Sequence, residues 1–482
     1  MSVAGTSATT YLELSEDGEG AHKFYEVTVT DREVSVRYGR IGADGQRRVS
    51  TFASPEKARA AAARKLAEKE RKGYAPAVPG GRAPRSVTRR ATVSAPSTAR
   101  SGAPVLWRFR TGSAAFGIHV DGDRCWVGNQ DGEVYALDHD GSVTARYRLP
   151  GGVKCLVADD FWIYAGCDDG TVYDLSGKLP FAAWTVEPDV DIFWLDIHEG
   201  VLNVSDRDGG LTVIDHEEEF QWSRRGEGSG GWMVRRDTDS VYHGHSAGVT
   251  AWRTDGSGRR WHTPTRGPVL FGWQESDAVY AGTSSRTVAR LAKSDGRLLA
   301  EYRCDASVYS CATSPDGEHV FAGDSASSVY CFAADGTRLW KLGTGCGSAL
   351  SMQYHRERLY LVTTDGTMAC VDAGPEAITA AERGTIPTPV DVKAAAALPT
   401  RVPAATAAQL TAVSDPVDGV VVECFRDGSR TRVRVVSEGY EPGWFVQFPR
   451  GIREPGARFV VEALHGAPGG FYRVRGDIHR LM

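Results

Sequence analysis

Long apolar runs are missing from this 482-residue chain. None approaches the roughly 18 residues that a membrane-crossing helix needs, so no membrane association is expected. The opening stretch Met1–Thr10 has neither a basic start nor an apolar core, and no secretion signal is expected there. Cysteine is scarce and unsuited to cross-linking: nine residues, an odd number, stand singly with no CxxC pair. That spacing argues against a disulfide framework or a zinc knuckle and fits reduced thiols in the cytoplasm. Nucleophile elbow, P-loop, Gly-rich dinucleotide turn and HExxH helix are all absent, so no catalytic residue, metal or cofactor is expected. What remains is ample material for buried cores, with 41% hydrophobic and 24% charged residues. The 55 glycines stand well above the roughly 7% average usage and favour many tight turns.

Charge is unevenly spread. Residues 1–103 carry 18 Lys+Arg against 11 Asp+Glu, residues 104–410 carry 28 against 41, and residues 411–482 carry 10 against 9. Within 21–103 the count is 18 against 7, a balance of +11. A basic head on an acidic body places any polyanion contact in the head; the alternative is a solvated basic linker.

In the head, alternation in Lys23–Val29 reads as a half-buried strand, and Val34–Gly42 reads as the next, after a turn at Asp31-Arg32. A turn at Ala43–Gln46 leads to a third strand, Arg47–Phe52. Ser54-Pro55-Glu56 supplies a helix cap, and the helix is expected over Lys57–Lys72, ending at Gly73. Lys65, Lys69 and Lys72 then share one side of it. The stretches Lys23–Val27, Tyr38-Gly39-Arg40-Ile41-Gly42, Gly45-Gln46, Phe52 and Lys69–Tyr74 resemble a WGR domain. In poly(ADP-ribose) polymerases that domain packs on DNA near a strand break, its motif tryptophan against the sugar at a 5′ end. Tyr38 replaces that tryptophan here and Arg40 matches the motif arginine. The resemblance implies nucleic-acid contact, with DNA the expected form, through Tyr38 and Arg40, and the helix cations Lys65, Lys69 and Lys72 are expected to join them. The alternative role for Tyr38 and Arg40 is to pin the sheet to its helix. Residues 75–103, rich in Ala, Pro, Ser and Arg, read as a flexible basic linker.

The body repeats. Turn elements centred at positions 132, 170, 209, 248, 286, 327 and 366 recur at intervals of 38 to 41 residues, each between short apolar runs. Strand, turn, strand at this period predicts a seven-bladed β-propeller over 104–374. The segment Leu106–Phe109 echoes Leu339–Leu342, so it is expected to supply the outer strand of the last blade and close the ring. With Trp107, Trp222, Trp261 and Trp340 at matching places and no Trp-Asp dipeptide closing a blade, the repeats resemble pyrroloquinoline-quinone-type repeats more than WD repeats. A second series, Phe116, Lys154, Phe193, Trp232, Phe271, Tyr309 and Leu350, falls where each inner strand should begin. These side chains either ring a central mouth that grips a peptide or planar ligand, or wedge between blades as core. His243 and His245 share a strand face as a potential metal pair or a plain surface pair. The acid clusters Asp159-Asp160, Asp168-Asp169 and Glu217-Glu218-Glu219 read as solvated turns.

Residues 375–410 read as a second, Ala/Pro-rich linker, and 411–482 as a small β domain with strands near 419–425, 430–437, 443–448, 458–463 and 471–475. Its segments Gly443–Arg450 and Gly470–Gly476 resemble a C-terminal module of some bacterial WGR-containing proteins. Trp444 and Tyr472 beside Arg450, Arg453, Arg473, Arg475 and Arg480 would form a cationic, stackable surface, or else a sheet face kept soluble by arginines. The expected fold is therefore mainly β, a propeller flanked by an α+β WGR-like head and a C-terminal β domain. The expected function is a non-catalytic scaffold, its head on nucleic acid and its propeller on a protein partner. The alternatives are a small-ligand or quinone-binding propeller enzyme or sensor, and a scaffold that binds protein alone.

Overall fold

A computed structural model describes residues 8–14, 23–40, 46–72, 74–76, 93–159, 162–176, 180–186, 190–217, 219–395, 398–403, 410, 412–413, 419–428, 430–449, 452–467 and 469–481. The chain divides into two compact units, Met1–Val87 and Thr88–Met482. Each is taken by itself.

The first unit is a sheet with a helix on one face. Its strands are β1 (Ala8–Leu14), β2 (Lys23–Thr30), β3 (Glu33–Arg40), β4 (Gln46–Thr51) and β5 (Ala75–Pro76), in the order β4-β3-β2-β1-β5, with helix α1 at Pro55–Glu70. Alternation puts Tyr25 and Val27 of β2 and Val34 and Val36 of β3 on the helix face, where Leu12 joins them. The helix answers with Ala58 and Ala62, whose short side chains let it lie close on the sheet. Ser54 starts it, its Oγ accepting a hydrogen bond from the Lys57 N–H at 3.3 Å. Strand β1 and the edge strand β5 fall outside the sequence expectation, because the alternation in β1 is short and β5 spans two residues.

The second unit holds the repeats. Among the described residues seven successive sheets follow one another, each with four antiparallel strands, beginning with inner strands at Ala115, Val153, Ile192, Met233, Val269, Val308 and Ala349. Each inner strand neighbours the next, and Ala349–His355 returns to Ala115–Val120, which closes a β-propeller. Strand β6 (Val105–Arg110) pairs antiparallel with Thr367–Asp372, so the earliest strand of this unit becomes the outer strand of the last blade.

Two features explain the repeat. The turn positions all need left-handed backbone: Gly132, Gly170, Gly209 and Gly366 lie at φ between 78° and 82°, and Arg286 and Ser327 take 66° and 50° in the same place. At Gly209 a Cβ would also sit 1.9 Å from the Gly228 carbonyl oxygen, so the turn has no room for one. The second feature is a lock between blades. The indole N–H groups of Trp107, Trp222 and Trp261 and the hydroxyl of Tyr302 donate to the carbonyls of His139, Thr254, Lys293 and Ala334, each 32 residues ahead, at 2.9–3.0 Å. Each of the three indoles lies over a glycine of that next turn; a Cβ on Gly256 would come within 2.6 Å of the Trp222 ring. The recurring outer-strand tryptophan is thus a clamp onto the following blade.

The stretches read as linkers are partly built into this unit. Residues 93–102 form a strap rather than a loose connection. The Ala95 N–H donates to the Ser325 carbonyl at 3.0 Å, Ser94 Oγ lies 3.0 Å from Ser348 Oγ, and Ser97 Oγ lies 2.8 Å from Ser328 Oγ. Small serines on both sides let the backbone lie flat across two neighbouring blades. Residues 77–92 lie outside the described residues. In 375–410 the chain forms helix α2 (Pro375–Glu382), then adds Val390–Val392 parallel to β6 and Thr400–Arg401 parallel to the first blade's outer strand, Val143–Arg148. Covering those edges removes two templates for unwanted pairing.

The C-terminal strands Val420–Asp427, Arg430–Val435, Arg458–Ala467 and Phe471–Leu481 make a sheet that packs on the second and third blades through one shared hydrophobic core. The expected strand at 443–448 shrinks to Val446–Gln447 with an isolated bridge from Phe445 to Arg434, because Pro449 and the turn before it interrupt the ladder. Among the described residues no helix is long and apolar enough to cross a membrane.

Candidate functional site

In the first unit, Tyr38 is half-buried on the helix face, its ring 6.3 Å from that of Tyr25 and its hydroxyl donating to Gln46 Oε1 at 3.1 Å. Lys69 Nζ sits over two rings of its own unit, 4.7 Å from the Tyr25 centroid and 5.2 Å from that of Tyr74. Lys72 pairs with Glu68 at 2.8 Å and is exposed, while Lys65 is half-buried. Arg40 ends β3, and only its backbone is described; Ile41, Gly42 and the turn at 43–45 lie outside the described residues.

Strand β4 carries cations that fall outside the sequence expectation. All six of its residues face solvent, Arg47 and Arg48 among them. Arg47 Nε donates to Ser35 Oγ at 2.9 Å, and on the adjacent strand Arg37 grips Glu26 through two bonds of 3.0 and 3.1 Å. A strand with a single apolar residue, Val49, was the available signal: it has no inner face, so its side chains serve the surface.

The propeller axis is packed. Six of the seven inner strands carry a one-residue bulge at their start, and the bulged residue is the one turned to the axis. Phe116, Phe193, Trp232, Tyr309 and Leu350 come together there, each 7% exposed or less. The Phe193 and Trp232 rings stack at 3.9 Å, and Phe116 lies 6.2 Å beyond Trp232. Lys154 is wholly buried, its ammonium 5.1 Å from the Phe116 centroid and 3.9 Å from Asp168 Oδ2. Phe271 does not join them. In its blade the bulge falls at Leu270, which packs against the axial cluster. A one-residue shift turns a side chain to the opposite face, and Phe271 meets Trp194 edge-on at 4.8 Å instead. Deeper still, the buried guanidinium of Arg235 lies 5.0 Å from the Trp273 centroid and donates to the Gly272 carbonyl. These positions form a plug where an open mouth was one expectation. At its edge the Tyr309 hydroxyl donates to the Val93 carbonyl at 3.1 Å, so the strap starts beside the axis.

His243 and His245 lie inside their blade, not on its surface. Burial drives His243 down to about 3, and neither ring nitrogen has a hydrogen-bond partner among the described residues. His245 Nε2 lies 2.9 Å from Thr250 Oγ1, which lies 2.9 Å from His262 Nδ1. Among the described residues no group of three or more His, Cys, Asp or Glu is arranged to hold a metal. Burial also raises the thiols, Cys155 and Cys311 to about 12, which leaves them inert.

The C-terminal arginines divide. Arg473 is 3% exposed and bonds Asp159 at 2.6 Å, beside a stack of Phe471 on His216 at 3.8 Å. Arg453 donates to the carbonyls of Phe448 and Glu217. Arg473 is sealed into the joint with the propeller and half-buried Arg453 is tied to it, so neither forms a free cationic surface. Trp444 is half-buried against Tyr472 at 5.1 Å, Arg475 is exposed, Arg480 pairs with Glu454, and Arg450 lies outside the described residues. Arg473→Ala removes the cation from half-buried Asp159, which keeps the Gly200 N–H, and is expected to cost about 2 kcal/mol. Urea unfolding of the single variants and of the pair with Asp159→Ala checks it: the double loss should fall short of the summed single losses.

Residues 8–81 match the family model of the WGR domain, and residues 243–376 match that of outer membrane protein assembly factor BamB. The WD40 β-propeller domain of Doa1 superposes with a TM-score of 0.50 at 13% identity, over 57% of this chain and 98% of that domain. The computationally designed Ika8 protein gives 0.44 at 14% identity, over 56% of this chain and 99% of its own. No curated protein matches. The chain joins an N-terminal WGR domain to a β-propeller with repeats similar to those of BamB.

Proposed function

We propose that this protein is a non-catalytic, cytoplasmic adaptor whose WGR domain contacts nucleic acid, DNA in particular, and whose propeller docks a protein partner. The observation that carries the first half is strand β4, fully exposed and bearing Arg47 and Arg48, in a region with a balance of +11. Cations on an edge strand meet phosphates without reading bases. The rigid closed ring suits the second half, and the packed axis weighs against a quinone or small-ligand site there. Nine free thiols fit a reducing compartment.

Full-length protein titrated with nicked duplex DNA at increasing salt should show log affinity falling with log salt at a slope of about −2 to −4, as two to four phosphate contacts require. Changing Arg47→Ala and Arg48→Ala together should flatten that slope by about 2. A flat line in the unaltered protein would remove the nucleic-acid half. The reading as a scaffold that binds protein alone has its own support: Tyr38 is tied to Gln46, Lys69 to two tyrosines and Lys72 to Glu68, all within the unit.

A further inference from the structure

We propose that the cavity between the sixth blade's outer edge, the seventh blade and α2 binds an extended peptide segment of a partner protein through an arginine or lysine side chain. This rests on the docking half of the proposed function and is independent of the nucleic-acid half. The cavity measures about 640 Å³ and has Phe321, Trp340, Tyr354 and Ile378 in its lining. Phe321 stacks on Tyr354 at 5.1 Å and lies 6.0 Å from Trp340, so three aromatic rings stand together. Exposed carboxylates surround that floor: Asp316, Glu318, Glu357 and Glu382. None of the four forms an ion pair among the described residues, and His319 is the only basic residue of the lining. The two cations on the adjoining strand, Arg338 and Lys341, are both engaged by Asp305, at 2.9 and 2.7 Å. Aromatic faces ringed by unpaired carboxylates attract a cation whose stem is apolar.

The blade lock explains why the cavity exists and why its occupant is a peptide. Trp107, Trp222 and Trp261 each donate to a carbonyl in the turn leading to the next blade's outer strand. In the seventh blade that turn is missing, because the outer strand comes from β6 and the chain leaves Asp372 for α2. Trp340 therefore has no hydrogen-bond acceptor among the described residues, although its side chain is only 9% exposed and lines the cavity. Gly374, 34 residues on, does not meet its ring. A peptide carbonyl would occupy the place that the turn carbonyl holds elsewhere, with its neighbouring basic side chain among the carboxylates. Leu339, 45% exposed beside Trp340, offers an apolar contact to the same segment.

The test uses full-length protein and a fluorescent, capped alanine peptide carrying two arginines, with a glutamate counterpart as control, read by anisotropy. Saturable binding of the arginine peptide alone is expected. Replacing Glu318→Gln together with Glu357→Gln should weaken it about tenfold, since each exposed pair is worth up to about fivefold. Trp340→Phe, which keeps a ring but removes the N–H, should weaken it further, with an unchanged unfolding midpoint for the glutamine pair as the folding control. Absent binding, or equal affinity in the glutamine pair, overturns the proposal. A purified partner that the full chain holds equally well after the glutamine exchange would keep the docking reading while removing this cavity from it.

Discussion

A chain that begins at Ser113 is expected to lose the cooperative unfolding of its propeller. Such a chain lacks β6, which pairs with Thr367–Asp372 along five registered positions and carries Val390–Val392 on its other edge. Its loss leaves Val371 and Cys370 without their cover and withdraws Trp107 and Phe109, which are 4% and 3% exposed in the intact ring. Burying one such aromatic is worth about 3 kcal/mol or more, so two together rival the whole stability of about 5–15 kcal/mol of a typical domain. The open sheet edge that remains is also a template for association. Differential scanning calorimetry should show a broad, low-temperature transition or aggregation, where the intact chain gives a sharp one. An unchanged sharp transition would mean that the ring closes without its borrowed strand.

Acid should weaken the propeller through His243. Burial holds this imidazole neutral down to about pH 3 in the folded state, while the unfolded chain takes up the proton near pH 6.5. Its contribution is therefore complete above pH 6.5 and drains away as pH falls toward 3, by about 5 kcal/mol over the whole window. His245, pushed down to about 4 by burial and by His262, acts in the same direction. Asp174 opposes them: burial raises it to about 6, so it gains stability as pH falls from 6 to the ordinary carboxylate range. The variant His243→Leu separates these. Between pH 6.5 and pH 4 its urea midpoint should fall less steeply than that of the unaltered protein, and identical slopes would remove His243 as the cause.

The propeller was legible in the sequence because its turns demand left-handed backbone at a fixed interval, and glycine is the ordinary means to that conformation. Even Arg286 and Ser327, which lack that freedom, kept the interval and so kept the pattern visible. The closing strand was legible too, since Leu106–Phe109 repeats the Leu339–Leu342 pattern. Six members of the axial series lie at the axis, while in the fifth blade Leu270 takes that place and Phe271 turns away. Spacing alone does not say whether Leu270 or Phe271 is the bulged residue, and a bulky aromatic is the more conspicuous of the two. The strap at 93–102 was hidden for a different reason. Its hold on the blades comes from serine hydroxyls and backbone groups, which leave no apolar period. The C-terminal joint was hidden likewise, because an arginine reads as surface until a carboxylate such as Asp159 is found beside it. In the cavity beside α2 no single residue is unusual; only the missing turn makes Trp340 different from Trp107, Trp222 and Trp261.

The strap gives the assembly a mechanical property. Tension arriving from the N-terminal side of Val93 meets the Tyr309 hydroxyl and the cluster of Ser94 with Ser327 and Ser348 first. Only beyond those fasteners does it reach β6, where it runs along the strand and loads the hydrogen bonds to Thr367–Asp372 side by side. A pull on Val93 is thus absorbed by sacrificial contacts before it can unlatch the torus.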